Sequence, residues 1–170
     1  MSAPAPIVVV MGVAGSGKST VAALLAQRLG AAFADGDDFH PPANVAAMAA
    51  GRPLTDDDRW PWLAAVRDWI AAQHAAGRAV VVPCSALRRT YRDMLREAGP
   101  VRFVHLTGSA ELLAERIGAR TGHFMGPAML AGQLATLEPL GPDEPGVVVD
   151  VAAEPARIVA AALDYLGAPT

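Results

Sequence analysis

The stretch GVAGSGKST, residues 12–20, has the composition and spacing of a phosphate-binding loop. It fits the pattern G-x-x-x-x-G-K-[ST] and stands between an apolar run and a helical pattern. Glycines let successive backbone N–H groups point at phosphate oxygens, and the helix N-terminus adds partial positive charge. Lys18 would reach the β- and γ-phosphates of a nucleotide, and the Ser19 hydroxyl could ligate Mg²⁺. The residues predicted to hold the nucleotide are Gly12, Val13, Ala14, Gly15, Ser16, Gly17, Lys18, Ser19 and Thr20.

Lys18 is the one lysine among fourteen lysines and arginines in the chain. If position 18 held an ordinary surface cation, the usage of this chain would predict arginine there. A slim, flexible ammonium fits inside a cradle of backbone groups, whereas a wide planar guanidinium does not. The lysine therefore favours a phosphate-binding loop over a glycine-rich turn without a ligand.

An acidic turn, DGDDFH at residues 35–40, follows the second predicted strand. Ligands of open parallel sheets lie at the carboxyl ends of the strands, so this turn belongs to the same edge as the loop. Phosphoryl transfer to an alcohol needs one carboxylate for Mg²⁺ or its water shell and one to accept the hydroxyl proton. Asp35 and Asp37 suit these tasks, and a solvated acidic turn is the alternative. Asp38 could be solvated only, and His40 is either structural or a ligand to a polar substrate.

Arg59 lies in the first turn of a helix predicted over 56–76, which Thr55 and Asp58 open as a capping box. The aspartates just before Arg59 suit the helix dipole and need no metal. An arginine at this position could hold an anionic substrate group through two parallel hydrogen bonds.

The segment CSALRRTYRDMLRE, residues 84–97, follows the third predicted strand and contains most of a helix predicted over 87–98. Ser85 would lie at the N-terminus of that helix, at the same edge of the sheet. The arginines of the segment, Arg92 among them, either face the site or form a solvated surface that pairs with neighbouring acids. Cys84 is expected to be packed, because nothing around it marks a reactive thiolate.

A short cationic segment with glycines, RIGARTGHFM, covers residues 116–125. In a phosphoryl-transfer enzyme, arginines on a mobile cover would neutralise the transferring group and exclude water. The alternative is a surface pair, Arg116 and Arg120, at the end of a helix.

Five short apolar runs alternate with helical patterns, which predicts an α/β fold with a mainly parallel sheet. Strands are expected at 7–11, 31–34, 79–82, 101–106 and 146–151. Helices are expected over 18–29, 43–50, 56–76, 87–98, a segment capped by Ser109, 127–136 and 155–166. A chain of 170 residues with no long linker predicts one domain.

The composition suits a globular protein and argues against several partners. Hydrophobic residues make up 52% of the chain, enough for a sizeable core, and a net charge of −3 gives no support for nucleic acid as a main partner. No apolar run approaches membrane-spanning length, and the run at 7–11 is expected as a buried strand rather than a signal peptide. The single cysteine suits a reducing compartment, so a cytoplasmic location is expected.

These motifs together resemble the gluconate kinases of the P-loop kind, which are related to shikimate kinase and the nucleoside monophosphate kinases. The matching sequence segments are MGVAGSGKS, DGDDFHP, NVAAMAAGRPLTDDDRWPWL, CSALRRTYRDMLRE, RIGARTGHFM and TLEPLGPDE, with the predicted strand VVVD after them. They stand in the expected order over nearly the whole chain. The P-loop alone is generic, whereas DDDRWPWL and CSAL with YRD are specific.

The resemblance implies a single P-loop kinase domain over 1–170, with a five-stranded parallel sheet flanked by helices. A substrate-binding region is expected over about 38–76 and a lid over about 118–136. The resemblance also implies phosphorylation of D-gluconate at its 6-hydroxyl by ATP with Mg²⁺. A homodimer is a family-level expectation.

Roles at the site follow from the same resemblance, with Asp37 contacting the accepting hydroxyl and Arg59 the sugar acid's carboxylate. The loop after the fifth strand would border the adenine. The implied metal ligands are Ser19 and Asp35. The implied catalytic residues are Lys18, Asp37 and the lid arginine, Arg120, and the nucleotide contacts would include Arg116 and Arg120. The implied substrate-binding residues are Asp37, His40, Arg59, Ser85, Arg92 and His123.

Two other functions stay open on the sequence. One is a kinase with a different acceptor, such as shikimate or another sugar acid, although the word DDDRWPWL disfavours shikimate by resemblance. The other is a nucleotide-binding switch or mechanical NTPase, which would need a substantial effector surface or further domains. Gluconate-dependent consumption of ATP would distinguish a gluconate kinase from both.

Overall fold

The computed structural model describes residues 5–118 and 127–168. Five strands, all parallel, form one sheet in the order β2-β3-β1-β4-β5. The strands are β1 Ile7–Met11, β2 Ala32–Phe33, β3 Val80–Pro83, β4 Val101–Thr107 and β5 Gly146–Asp150. The predicted α/β class and each of the predicted strands are confirmed, with ends that differ by no more than one residue.

Helices cover both faces of the sheet, and each helix expected from the sequence is present. They are α1 Lys18–Leu29, α2 Pro42–Ala49, α3 Asp56–Ala75, α4 Arg89–Arg96, α5 Ala110–Gly118, α6 Pro127–Thr136 and α7 Pro155–Leu166, with a short 3₁₀ helix at Gly36–Phe39. The capping box at Thr55 and Asp58 is confirmed by reciprocal hydrogen bonds of 2.9 and 3.2 Å. Nowhere in the described part of the chain is a helix both long enough and apolar enough to cross a membrane.

Strand β1 lies at the centre of the sheet and is buried on both faces. Val8 and Val10 pack with residues of α1 and α7, whereas Val9 and Met11 pack with residues of α3 and α4. Strands covered on both faces have continuous apolar sequences rather than alternating ones. The double burial explains the unbroken run IVVVM, and it fixes the loop that follows at the carboxyl end of the sheet.

The acidic turn after β2 packs directly on the end of β3. A Cβ atom at Gly36 would lie 2.5 Å from the carbonyl oxygen of Pro83 and 3.2 Å from Cβ of Cys84. Contacts below about 3 Å leave no room for a side chain, so glycine is required there by close approach. Trp62 of α3 donates its Nε1–H to the carbonyl oxygen of Gly36 at 2.7 Å and holds the turn from the other side.

The segment from residue 138 to 144, after α6, is tied to α4. Glu138 accepts a hydrogen bond on Oε1 from the backbone N–H of Arg89 at 2.8 Å, at the start of the helix. Arg92 donates through Nε and Nη2 to the two carboxylate oxygens of Glu144 at 2.7 and 3.0 Å. Both side chains of this pair are almost wholly buried. We call residues 138–144 the clamp segment; this is the sequence TLEPLGPDE without its first two residues.

The buried pair corrects the prediction that Arg92 binds the substrate. Its guanidinium is fully buried, and its Nη1 donates to the carbonyl oxygen of Ala86 at 2.8 Å. Ala86 has a φ of 46°, a left-handed conformation that is uncommon for residues other than glycine. Arg92 therefore holds the strained turn next to Ser85 in place. Helical spacing alone did not reveal which face of α4 would meet the clamp segment.

Replacing Glu144 by alanine is expected to lower the free energy of unfolding by about 3–5 kcal/mol, because the charge of Arg92 would be left buried and unpaired. Urea denaturation followed by circular dichroism would measure the loss. The control is Glu97→Ala, which breaks an exposed pair with Arg67 and should cost less than about 1 kcal/mol. Equal small losses in both variants would contradict a structural role for the buried pair.

Candidate active site

A cavity of about 740 Å³ opens at the carboxyl end of the sheet. Its wall is formed by the loops after β1, β2 and β3, by the start of α3, and by part of α6. The predicted site residues in the wall are Ala14, Gly15, Gly17, Lys18, Ser19, Asp37, His40, Arg59 and Ser85. The structure thus brings the phosphate-binding loop and the acceptor-side residues together in one space.

The conformation of the phosphate-binding loop requires glycine. Gly12, Gly15 and Gly17 have φ values of 149°, 82° and 86°, in the region that side chains disfavour. A Cβ atom at Gly12 would lie 2.6 Å from the carbonyl oxygen of Leu106, and one at Gly15 would lie 2.8 Å from a side-chain carbon of Ile117. A side chain at either position would push the loop away from β4 or α5.

Lys18 begins α1 and reaches back across the loop, where its Nζ donates to the carbonyl oxygen of Val13 at 3.1 Å. The Val13 side chain is packed in the core. Ser16 is also buried, and its hydroxyl has no hydrogen-bond partner within the described part of the chain. Gly12, Val13 and Ser16 therefore form the buried floor of the loop, whereas Thr20 is exposed on α1.

A side chain of α6 contacts the phosphate-binding loop. Gln133 lines the cavity, and its Oε1 accepts a hydrogen bond from the backbone N–H of Ala14 at 2.6 Å. The Gln133 amide oxygen therefore accepts a hydrogen bond from a loop N–H group, as a phosphate oxygen would. Sequence reasoning missed Gln133, because an uncharged residue within a predicted helix carries no motif.

Ser19 and Asp35, the two predicted metal ligands, are in contact with each other. The Ser19 hydroxyl donates to Asp35 Oδ2 at 3.0 Å, and the other carboxylate oxygen accepts from the backbone N–H of Asp37 at 3.0 Å. Within the described residues no group of three or more His, Cys, Asp and Glu side chains could enclose a metal ion. One hydroxyl and one carboxylate fit Mg²⁺, which keeps several waters and is completed by substrate phosphates.

Asp37 and its neighbour Asp38 are both exposed, but Asp37 lines the cavity and Asp38 does not. Burial raises the pKa of the Cys84 thiol to about 12, and the charges of Asp37 and Asp35 add to the shift. The thiol therefore stays protonated, which agrees with the expectation that Cys84 is a packed residue.

Arg59 lies in a polar cluster at the acceptor end of the cavity. Its Nη1 donates to the Tyr91 hydroxyl at 2.9 Å and lies 3.5 Å from Asp56 Oδ1. Tyr91 in turn donates to Asp56, and Arg88 lies 4.0 Å from the same carboxylate. The hydrogen bond from Tyr91, with the charges of Arg88 and Arg59, holds the pKa of Asp56 below its usual value. Two arginines are thus held beside the cavity, and Asp56 does more than favour the helix dipole.

His40 also lines the cavity, where it is packed and hydrogen-bonded. Its ring stacks on Trp62 with 4.1 Å between centroids, and its Nδ1 lies 3.1 Å from Asn44 Nδ2. Burial, together with the positive charge of Arg59, lowers the pKa of His40 to about 4. The imidazole is therefore neutral at physiological pH.

Ser85 lies in the cavity wall. The expectation that it stands at a helix N-terminus is wrong. Helix α4 begins only at Arg89, because Arg88 before it is extended. The backbone carbonyl of Ser85 accepts a hydrogen bond from the N–H of Gly12 at 3.3 Å. That hydrogen bond ties the loop after β3 to the phosphate-binding loop.

The predicted lid residues are placed only in part. Arg116 lies beside the loop that follows β5, where its guanidinium donates a hydrogen bond to the carbonyl oxygen of Val151 at 2.6 Å. Arg120 and His123 lie outside the described residues, so their roles and the lid over 118–136 stay predictions.

Comparisons with known proteins place the chain among kinases. The family model described as an AAA domain matches residues 7–140. A gluconokinase of Gluconobacter oxydans (strain 621H) is 54% identical over 83% of this chain and 80% of its own. The thermoresistant gluconokinase of Escherichia coli (strain K12) is 44% identical over 94% of this chain and 93% of its own.

A solved structure agrees with these relatives. The crystal structure of a gluconokinase from Sinorhizobium meliloti 1021 is 51% identical and superposes with a TM-score of 0.87, covering 96% of this chain and 92% of the other. Identities of this size hold over most of both chains in each comparison. This chain therefore belongs to the gluconokinase family of P-loop kinases.

Proposed function

We propose that the protein transfers the γ-phosphoryl group of ATP to the 6-hydroxyl of D-gluconate, giving 6-phospho-D-gluconate and ADP. The observation that carries the proposal is the single cavity in which the phosphate-binding loop, Asp37 and Arg59 meet. A kinase for a sugar acid needs these three things: a phosphate cradle, a group that accepts the hydroxyl proton, and a cation for the carboxylate. Family membership favours gluconate over shikimate as the acceptor.

The residues would divide the work according to their surroundings. Asp35 has one carboxylate oxygen against Ser19 and the other against the backbone of the turn, which suits the metal or its water shell. Asp37 lines the cavity and would accept the proton of the attacking hydroxyl. Lys18 would hold the β- and γ-phosphates, and Mg²⁺ would neutralise charge that builds up on the transferring group.

A coupled assay of ATP consumption over a panel of acceptors tests the proposal. The panel contains gluconate, related aldonates, shikimate and nucleoside monophosphates. Gluconate should give the highest kcat/KM, and ATP consumption without an acceptor should be slow. Strong consumption independent of gluconate would favour the nucleotide switch, and preference for another acceptor would replace gluconate with that compound.

Arg59→Ala is expected to raise the KM for gluconate about 10–100-fold while changing the KM for ATP little, because a charge-assisted hydrogen bond contributes about 1.5–3 kcal/mol. Steady-state kinetics with each substrate varied in turn would measure the split. Arg67→Ala is the matched control, since Arg67 lies on the same helix and pairs outside the cavity with Asp68 and Glu97. Equal changes in both KM values for Arg59→Ala would refute its role at the carboxylate.

We also propose that the protein acts in the cytoplasm, which suits its one buried, protonated cysteine. The homodimer implied by the resemblance stays a prediction, and size-exclusion chromatography with light scattering would measure it.

A further inference from the structure

Asn44 has an amide whose orientation is determined by its surroundings. The side chain is buried at the start of α2, and its Nδ2 lies 2.9 Å from the carbonyl oxygen of Asp58. A backbone carbonyl only accepts hydrogen bonds, so the Asn44 atom that faces it must be the nitrogen. The two amide atoms of Asn44 can thus be told apart by chemistry alone.

The orientation of the Asn44 amide decides which ring nitrogen of His40 carries the proton. The same Asn44 nitrogen lies 3.1 Å from His40 Nδ1, and an amide nitrogen donates but does not accept. Its two hydrogens therefore serve Asp58 and His40, and Nδ1 must be the acceptor. A neutral imidazole that accepts on Nδ1 carries its proton on Nε2.

The ring is also fixed in position relative to the acidic turn. His40 stacks on Trp62 at an interplanar angle of 17°, and Trp62 is hydrogen-bonded to the carbonyl oxygen of Gly36. Gly36 stands between the two carboxylates that the phosphoryl transfer uses. This series of contacts, which runs through Asn44, His40, Trp62 and Gly36, therefore joins α2, α3 and the acidic turn at one wall of the cavity.

We propose that Asn44 is a positioning residue that holds His40 as a neutral Nε2–H donor, and that this donor binds a hydroxyl oxygen on the carbon chain of the acceptor. The inference rests on the proposed function, since it assigns a partner to the polyol of a sugar acid. Arg59 already supplies positive charge for the carboxylate. A neutral donor beside it adds selectivity for hydroxyl groups, whereas a second cation would bind any anion.

Four variants test the donor and its positioning. His40→Leu removes the donor and should raise the KM for gluconate about tenfold, with kcat and the KM for ATP changed less than about threefold. His40→Gln places an amide N–H near the position of Nε2 and should restore most of the loss. Asn44→Asp puts a carboxylate at Nδ1, which favours a proton there, and should raise the same KM. Val45→Ala, at the exposed neighbouring position, is the control.

Long-range ¹H–¹⁵N correlation spectra of the free protein test the tautomer without any substrate. The His40 signals, assigned by their loss in His40→Gln, should show a protonated Nε2 and an unprotonated Nδ1. In Asn44→Asp, Nδ1 should be protonated. A protonated Nδ1 in the wild type would overturn the role of Asn44, even if the kinetic results agreed.

The outcomes separate this inference from the proposed function. An unchanged gluconate KM in His40→Leu would overturn the donor, and a loss that His40→Gln does not restore would overturn hydrogen bonding as its cause. If the wild type consumed no ATP with gluconate, the proposed function would fail and the donor's partner with it. The spectra would still decide whether Asn44 sets the tautomer.

Discussion

Replacing Lys18 by alanine is expected to lower kcat by about 10³-fold, a loss comparable to the removal of one preorganised charged or hydrogen-bonding group from a transition state. The ammonium lies in the phosphate-binding loop, against the carbonyl oxygen of Val13, where the β- and γ-phosphates would bind. The coupled assay would measure the loss, and circular dichroism would show that the fold is kept. Near-normal activity would contradict the assignment of the loop.

Lys18→Arg separates charge from shape at the same position. If positive charge alone were needed, arginine would keep most of the activity. We expect a loss almost as large as that of alanine, because a wide planar guanidinium does not fit within a cradle of backbone groups as a slim ammonium does. Recovery of most of the activity by arginine would show that the lone lysine in this arginine-rich chain has no steric cause.

Asp37→Asn is expected to lower kcat by about 10²–10⁴-fold while ATP binding is largely kept, because an amide cannot accept the proton of the attacking hydroxyl. ATP affinity would be measured by calorimetry and kcat by the coupled assay. Asp38→Asn is the matched control, since it makes the same change one residue away, on an exposed side chain outside the cavity wall. Equal losses in the two variants would contradict a specific role for Asp37.

The parts of the site that could be predicted are those encoded by contiguous residues at strand ends. The phosphate-binding loop and the acidic turn each follow a strand directly, and parallel strands carry their carboxyl ends to one edge. The contact between Ser19 and Asp35 follows from that geometry, since β1 and β2 flank β3 in the sheet. The residues of the phosphate-binding loop and the acidic turn could therefore be identified from the local sequence pattern.

The parts that could not be predicted depend on contacts between distant segments. Arg92 carries the same charge as Arg88, but only the packing of the clamp segment decides that one is buried and the other lines the cavity. Gln133 and Asn44 are uncharged, so their contacts with the loop and with His40 left no signal in the sequence. The late start of α4 likewise reflects tertiary hydrogen bonds, which outweigh the helical tendency of residues 87 and 88.

The clamp segment has a consequence for how the site comes into being. Its hydrogen bonds to Arg89 and Arg92 join residues 49 to 54 positions apart in the chain. Contacts of such separation form late, because the entropy of closing the intervening loop must be overcome first. The turn that carries Ser85 therefore reaches its final shape only when the last third of the polypeptide has emerged and folded. The phosphate-binding loop depends on the same part of the chain, because the Ala14 N–H is hydrogen-bonded to Gln133, 119 positions away, so the nucleotide cradle and the acceptor pocket are completed together.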